Sequence, residues 1–195
     1  MKEPTNKVLV FGGSFDPPHL GHKYMLYFAM QAIKPDVTIV MPAKQQVLKD
    51  THGADAHHRV EMVKRMFKDN KRVWIWQYEI LSSMPNFTRD TLDYVRGIYP
   101  DAEIFLLIGE DSFEELDKWK DYAYILRHYN IVVAKRVGDI NMSKYSDIAK
   151  NIMFLKNSEN DFSSSKVRDG NTLALTDEVA EYIKKNNLYG GLMYE

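Results

Sequence analysis

Cysteine is absent from the 195 residues, which excludes disulfides and metal sites built on thiolates. Long apolar runs are missing too. No stretch approaches the roughly 20 residues of a membrane-spanning helix, and Lys2-Glu3-Pro4-Thr5-Asn6-Lys7 opens the chain without the apolar core of a secretory signal. A cytoplasmic location is expected, on the missing signal more than on the missing cysteines. No excess of one charge exists either: 26 Lys and Arg stand against 27 Asp and Glu, a formal net charge of -1. The electrostatic footprint of a nucleic-acid partner is therefore not expected. With 45% hydrophobic and 27% charged residues and no internal repeat or low-complexity tract, the composition predicts one domain over residues 1–195 around a single well-buried core.

Short apolar runs alternate with helix-period segments. Strands are predicted at Val8–Phe11, Val37–Met41, Val73–Trp76, Ile104–Ile108, Ile131–Ala134 and Ile152–Leu155, and helices near Leu20–Ile33, His57–Phe67, Thr88–Tyr99 and Tyr122–Arg127. Thr176–Asn187 reads as a closing helix capped by Thr176, with Glu178 and Glu181 in its first turns. Near-continuous apolar strands bracketed by helices predict an α/β domain with a doubly wound, mostly parallel sheet, in which ligands bind outside the carboxyl ends of the strands. Ala43–Ala54 and Arg136–Ser146, polar and without periodicity, are the expected mobile segments.

The most informative stretch is Gly12-Gly13-Ser14-Phe15-Asp16-Pro17-Pro18-His19-Leu20-Gly21-His22, which follows the first apolar run and opens the first helix. Glycines let backbone approach a ligand closely, and a helix N-terminus offers unpaired N–H groups and a positive dipole end, so an anion is expected there. His19 and His22, three residues apart, fall on one helix face if the helix has begun, where both can donate to phosphate oxygens. The plainer alternative is a Gly/Pro turn with two capping or solvated histidines. A second phosphate-facing loop is suggested by Phe162-Ser163-Ser164-Ser165-Lys166-Val167-Arg168, a Ser-rich turn entering a helix after the last strand. Arg168 there could fork onto two phosphate oxygens. The competing reading is a flexible serine linker.

The first motif resembles the signature of nucleotidyltransferases with a His-x-Gly-His motif. Class I aminoacyl-tRNA synthetases carry a related motif, but 195 residues at balanced charge leave no room for a tRNA-binding module. Together with Ser-Ser-Ser-Lys-Val-Arg, the motif resembles the bacterial nicotinate-nucleotide adenylyltransferases. His58-Arg59-Val60-Glu61-Met62, Thr88-Arg89-Asp90-Thr91-Leu92, Ile108-Gly109-Glu110-Asp111 with Trp119, Lys135-Arg136 with Gly138, Tyr182-Ile183 and Leu188-Tyr189 stand in that family's order. The resemblance implies transfer of AMP from ATP to the 5′-phosphate of nicotinate mononucleotide, with Mg²⁺ carried alongside ATP. Catalytic roles fall to His19, His22 and Arg168. Gly12, Gly13, Ser14, Phe15, Gly109, Ser164 and Ser165 complete the ATP side, with Asp111 for the ribose hydroxyls. Trp119 and Thr88 match the positions for the pyridine ring and its carboxylate, Lys49 and Lys44 are the candidates for the acceptor's phosphate, and Arg136 completes the substrate-binding set. Asp111 could instead be a helix N-cap, and Trp119 a core filler.

The sequence departs from the family pattern where Gln46-Val47-Leu48-Lys49 replaces Pro-Pro-His-Lys, where Asn86-Phe87-Thr88 replaces Ser-Tyr-Thr, and at Val137 in place of proline. Nicotinamide mononucleotide or another phosphorylated acceptor is the alternative substrate, and a non-catalytic nucleotide-binding module the third reading. The remaining histidines show no metal-ligand spacing with a carboxylate. Arg65, Lys68, Lys71 and Arg72 read as a solvated face, and Trp74 and Trp76, alternate residues of one strand, as core packing.

Overall fold

The computed structural model describes residues 5–44, 53–83, 86–134, 145, 147–149, 151–155 and 162–190. Six strands, β1 (Lys7–Gly13), β2 (Val37–Pro42), β3 (Val73–Ile75), β4 (Glu103–Gly109), β5 (Asn130–Ala134) and β6 (Asn151–Leu155), make one sheet in the order β3-β2-β1-β4-β5-β6. Every pairing is parallel, with Phe11 opposite Val40 on one side and Leu107 on the other. The apolar runs are continuous because both faces are covered. Leu9, Phe11, Val40, Leu107 and Val132 pack on one face, while Val8, Val10, Ile39, Leu106 and Val133 pack on the other, the period-two alternation of a pleated strand.

The helices are α1 (Leu20–Ile33), α2 (Ala56–Met66), α3 (Tyr78–Leu81), α4 (Thr88–Ile98), α5 (Glu110–Glu114), α6 (Tyr122–His128), α7 (Ser164–Arg168) and α8 (Asp177–Lys185). α1 has the expected bounds and stops at Lys34, whose left-handed backbone (φ 53°) lets its N–H donate to the Met30 carbonyl at 3.0 Å. The short helices α3 and α5 are not legible in the sequence, because one turn is too short for a period to register. α8 lies against α2, joined by Lys68 to Glu178 at 3.0 Å and by the Arg65 guanidinium over the Tyr182 ring. The cations of that face are exposed, as expected.

One packing expectation needs correction. β3 is a three-residue edge strand whose Val73 and Ile75 pack onto the Leu9 face, which sends Trp74 to the opposite face at the sheet margin, where it is 54% exposed. Trp76 lies past the strand end and stacks on Tyr99 at 6.4 Å. The two indoles therefore play different parts. The proposed mobile segments fall largely outside the described residues.

Candidate active site

The strand order reverses between β1 and β4, because the chain winds outward from β1 through β2 to β3 and then returns to begin again at β4. The crevice that this leaves at the carboxyl ends is where doubly wound sheets bind ligands. Gly12 and Gly13 end β1 and Gly109 ends β4, on neighbouring strands. A Cβ at Gly12 would meet nothing within 4 Å, so the backbone there borders open space. A Cβ at Gly13 would instead press on the Phe15 ring at 3.2 Å.

Phe15 turns the chain. Its φ of 51° is left-handed, a conformation that most side chains avoid, and it is held because the ring is buried edge-on to Phe11 at 5.3 Å and beside His22 at 5.0 Å. The Asp16–Pro17 peptide bond is cis. His19 is then the N-cap of α1 and His22 its third residue, with ring centroids 3.8 Å apart. The His19 backbone N–H donates to His22 Nδ1 at 3.2 Å. With Nδ1 accepting, a neutral His22 ring carries its proton on Nε2, the tautomer that can donate to a ligand. Ser14 Oγ is buried and without a hydrogen-bond partner among the described residues.

Three side chains outside the assigned site fasten this turn. The Asp16 carboxylate, 5% exposed, accepts the Gly53 N–H at 2.6 Å, the Ala54 N–H at 3.0 Å and the Tyr189 hydroxyl at 2.7 Å. Burial and then this hydrogen bond push the Tyr189 hydroxyl far above its ordinary pKa, so it stays a donor. Arg59 has no exposed surface and donates to the carbonyls of Ser14 (2.6 Å), Lys44 (3.0 Å) and Ala54 (3.2 Å). Burial lowers its pKa and nearby Asp16 raises it. Guanidinium pKa values begin so high that Arg59 remains a cation. A charged residue on the buried stripe Arg59, Met62, Val63, Met66 was the sequence signal for this role. Asp16 and Tyr189 were legible only as parts of the family's motifs.

α7 joins the same network. Ser164 Oγ donates to the Pro17 carbonyl at 2.9 Å, and the Arg168 guanidinium donates to the Asp16 carbonyl and to Ser165 Oγ. The Ser-rich turn is thus a short helix capped by Ser163, whose Oγ accepts the Lys166 N–H, and not a linker. Two of the five N–H donors of Arg168 are engaged by these bonds.

On the other side of the crevice, Gly109 caps α5, and Asp111 is exposed in its first turn. Asp111 is therefore not the N-cap. Thr88 opens α4, and Trp119, half-buried against the core on the Val8 face of the sheet, follows a short turn after α5. Arg89 pairs with Asp121 at 2.9 Å and Lys120 lies over the Phe87 ring at 4.2 Å. These contacts bring Thr88 and Trp119 into one neighbourhood. The Lys44 ammonium donates to the Ser82 carbonyl at 2.6 Å. Lys49 and Arg136 lie outside the described residues.

Among the described residues no group of three His, Cys, Asp or Glu could hold a metal ion, and no helix is long and apolar enough to cross a membrane.

A cytidylyltransferase-like family model matches residues 10–170, which takes in β1, the histidine turn and α7. A probable nicotinate-nucleotide adenylyltransferase of Gemmatimonas aurantiaca is 36% identical over 92% of this chain and 90% of its own length. One from Aquifex aeolicus is 34% identical over 81% and 99%. The fold is shared with the Plasmodium falciparum nicotinic acid mononucleotide adenylyltransferase complexed with NaAD, at a TM-score of 0.80 and 19% identity over 95% of this chain and 98% of that one. The chain belongs to the cytidylyltransferase-like family and, within it, to the bacterial nicotinate-nucleotide adenylyltransferases.

Proposed function

We propose that this protein transfers AMP from ATP to the 5′-phosphate of nicotinate mononucleotide, releasing pyrophosphate and forming nicotinate adenine dinucleotide, a step of NAD synthesis. The supporting observation is the His19–His22 pair at the start of α1, beside the open backbone of Gly12 at the β1/β4 crevice.

An oxygen of the acceptor phosphate forms a bond to the α-phosphorus of ATP as the bond from that phosphorus to the pyrophosphate oxygen breaks. The nucleophile is a phosphate whose second pKa is about 6, so at neutral pH it attacks as the dianion and needs no general base. What remains is to hold two anions in line and to offset charge on the α-phosphate and the departing pyrophosphate. His22, donating through Nε2, and His19 serve the α-phosphate. Ser165 and the remaining guanidinium donors of Arg168 serve the triphosphate tail. In this reading Ser164 acts through its bond to Pro17, holding the turn in place. Ser14 Oγ, buried without a partner, is a hydroxyl that a phosphate oxygen could satisfy. Asp111 accepts from the ribose hydroxyls, Trp119 stacks on the pyridine ring, and Thr88 with the first amides of α4 takes the ring carboxylate. Lys44, Lys49 and Arg136 serve the acceptor phosphate.

Mg²⁺ would neutralise charge on the phosphates when bound with ATP. The described residues do not form a cage for it: the carboxylate of the turn itself, Asp16, already accepts three hydrogen bonds, and imidazole and guanidinium donors do not suit a hard cation. The ion is therefore assigned to the nucleotide.

The test is pyrophosphate release from ATP and Mg²⁺ with nicotinate mononucleotide, nicotinamide mononucleotide and phosphopantetheine as separate acceptors, alongside H19A. Release with the nicotinate acceptor, abolished in H19A, is expected. Silence with both pyridine nucleotides would refute the acceptor assignment.

A further inference from the structure

Glu79 of α3 is an ionisable group that takes no part in the chemistry above. The residue keeps part of its surface in solvent while its carboxyl end is enclosed, and burial pushes its pKa up to about 7 against the pull of a Thr91 hydrogen bond. The carboxyl group accepts the Thr91 hydroxyl at 2.7 Å, and the Glu79 main-chain carbonyl accepts Asn86 Nδ2 at 3.3 Å. Asn86 immediately precedes Phe87, the N-cap of α4, and Thr91 lies one turn inside the helix. Glu79 therefore grips both ends of a single helical turn.

That turn carries Thr88. Asp90 already satisfies the Phe87 N–H at 3.2 Å, and the amides of Thr88 and Arg89 have no acceptor within the helix, as at every helix start. Arg89 in turn ties the helix to Asp121, next to the Trp119 segment. The Thr88 hydroxyl and the Trp119 indole can meet one small planar ring only if this turn is held at a fixed height. Carboxylate recognition by N–H and O–H donors falls off steeply with distance and angle, so a displacement below 1 Å would be felt. Among the described residues, the side-chain hydrogen bonds that join this first turn to α3 both run to Glu79.

We propose that Glu79 is a positioning residue for the acceptor, holding Asn86 and Thr91 so that Thr88 and the first amides of α4 meet the ring carboxylate of nicotinate mononucleotide. The inference rests on the acceptor site assigned under the proposed function. It separates the acceptor end of the crevice, set by α3 and α4, from the ATP end, set by the Asp16 network.

Steady-state kinetics of wild type, E79L, E79Q and T91V, with ATP and nicotinate mononucleotide varied in turn, test it. E79L and T91V are expected to raise the acceptor KM about tenfold while the ATP KM and kcat stay within about twofold, the pattern of a lost binding contribution on one substrate. E79Q keeps an oxygen for the Thr91 hydroxyl and should restore the wild-type KM. Equal rises in both KM values, a fall in kcat alone, or an E79Q enzyme as impaired as E79L would overturn the proposal. T91V breaks the same bond from the helix side, so the test survives if E79L does not fold. Silence of the wild-type enzyme with this acceptor is a different outcome: it refutes the acceptor assignment, and the positioning role falls with it.

Discussion

Removing the Asp16 carboxylate should cost this protein far more stability than its place in a surface turn suggests. In D16A the Gly53 and Ala54 N–H groups and the Tyr189 hydroxyl lose their acceptor together, in a site where Ala54 is 4% exposed and Asp16 itself 5%. Arg59, fully buried alongside, also loses a favourable charge. A hydrogen bond to a charged group contributes about 1.5–3 kcal/mol and is not additive with its neighbours, whereas removing one partner of a buried charged network costs about 3–5 kcal/mol. The larger figure governs, since all three donors are stranded at once. For a chain of 195 residues each kcal/mol corresponds to about 2–4 °C in Tm, so thermal unfolding followed by circular dichroism should show a fall of roughly 6–20 °C. Y189F removes one donor and leaves the carboxylate paired, and should cost only about 1–2 kcal/mol. Amide exchange at Gly53 and Ala54 should quicken in D16A and much less in Y189F. A D16A Tm within about 3 °C of wild type would show that these bonds exchange freely with water and that the network does not hold the turn.

H22N should separate the two tasks of His22: an asparagine oxygen at that position can still accept the His19 N–H, so stability to thermal unfolding holds within about 0.5 kcal/mol, while loss of the ring donor lowers kcat by about 100-fold or more. H22A should lose both. Glu79 makes stability depend on pH. Its folded pKa is raised from 4.5 to about 7, so the native state binds the extra proton; that contribution is fully present below pH 4.5, is lost as pH rises through 7, and amounts to at most about 3 kcal/mol at about 1.36 kcal/mol per unit. Urea unfolding of E79Q should lack this decline between pH 5 and 8. W74T, at the exposed edge position, should change stability by less than about 0.5 kcal/mol, and a drop beyond 2 kcal/mol would restore the indole to the core.

The sequence by itself determined the six parallel strands, the helices longer than two turns, and the place of the histidine turn between β1 and α1. These are local signals: a strand buried on both faces must be apolar throughout, and a helix face repeats every three to four residues. It also placed His19, His22, Ser164, Ser165 and Arg168 on the loops that the folded chain brings together. Only the tertiary structure decided what those loops rest on. Asp16 meets Gly53 and Tyr189, and Glu79 meets Thr91, across elements whose separation along the chain carries no periodicity. It decided, too, that Ser164 fastens the turn through Pro17, that Asp111 is not a cap, and that Trp74 faces water. Pattern along a chain reports which surfaces must be buried. Which buried donor finds which acceptor is settled by the packing of distant elements, since a polar group removed from water must be paired wherever a partner arrives.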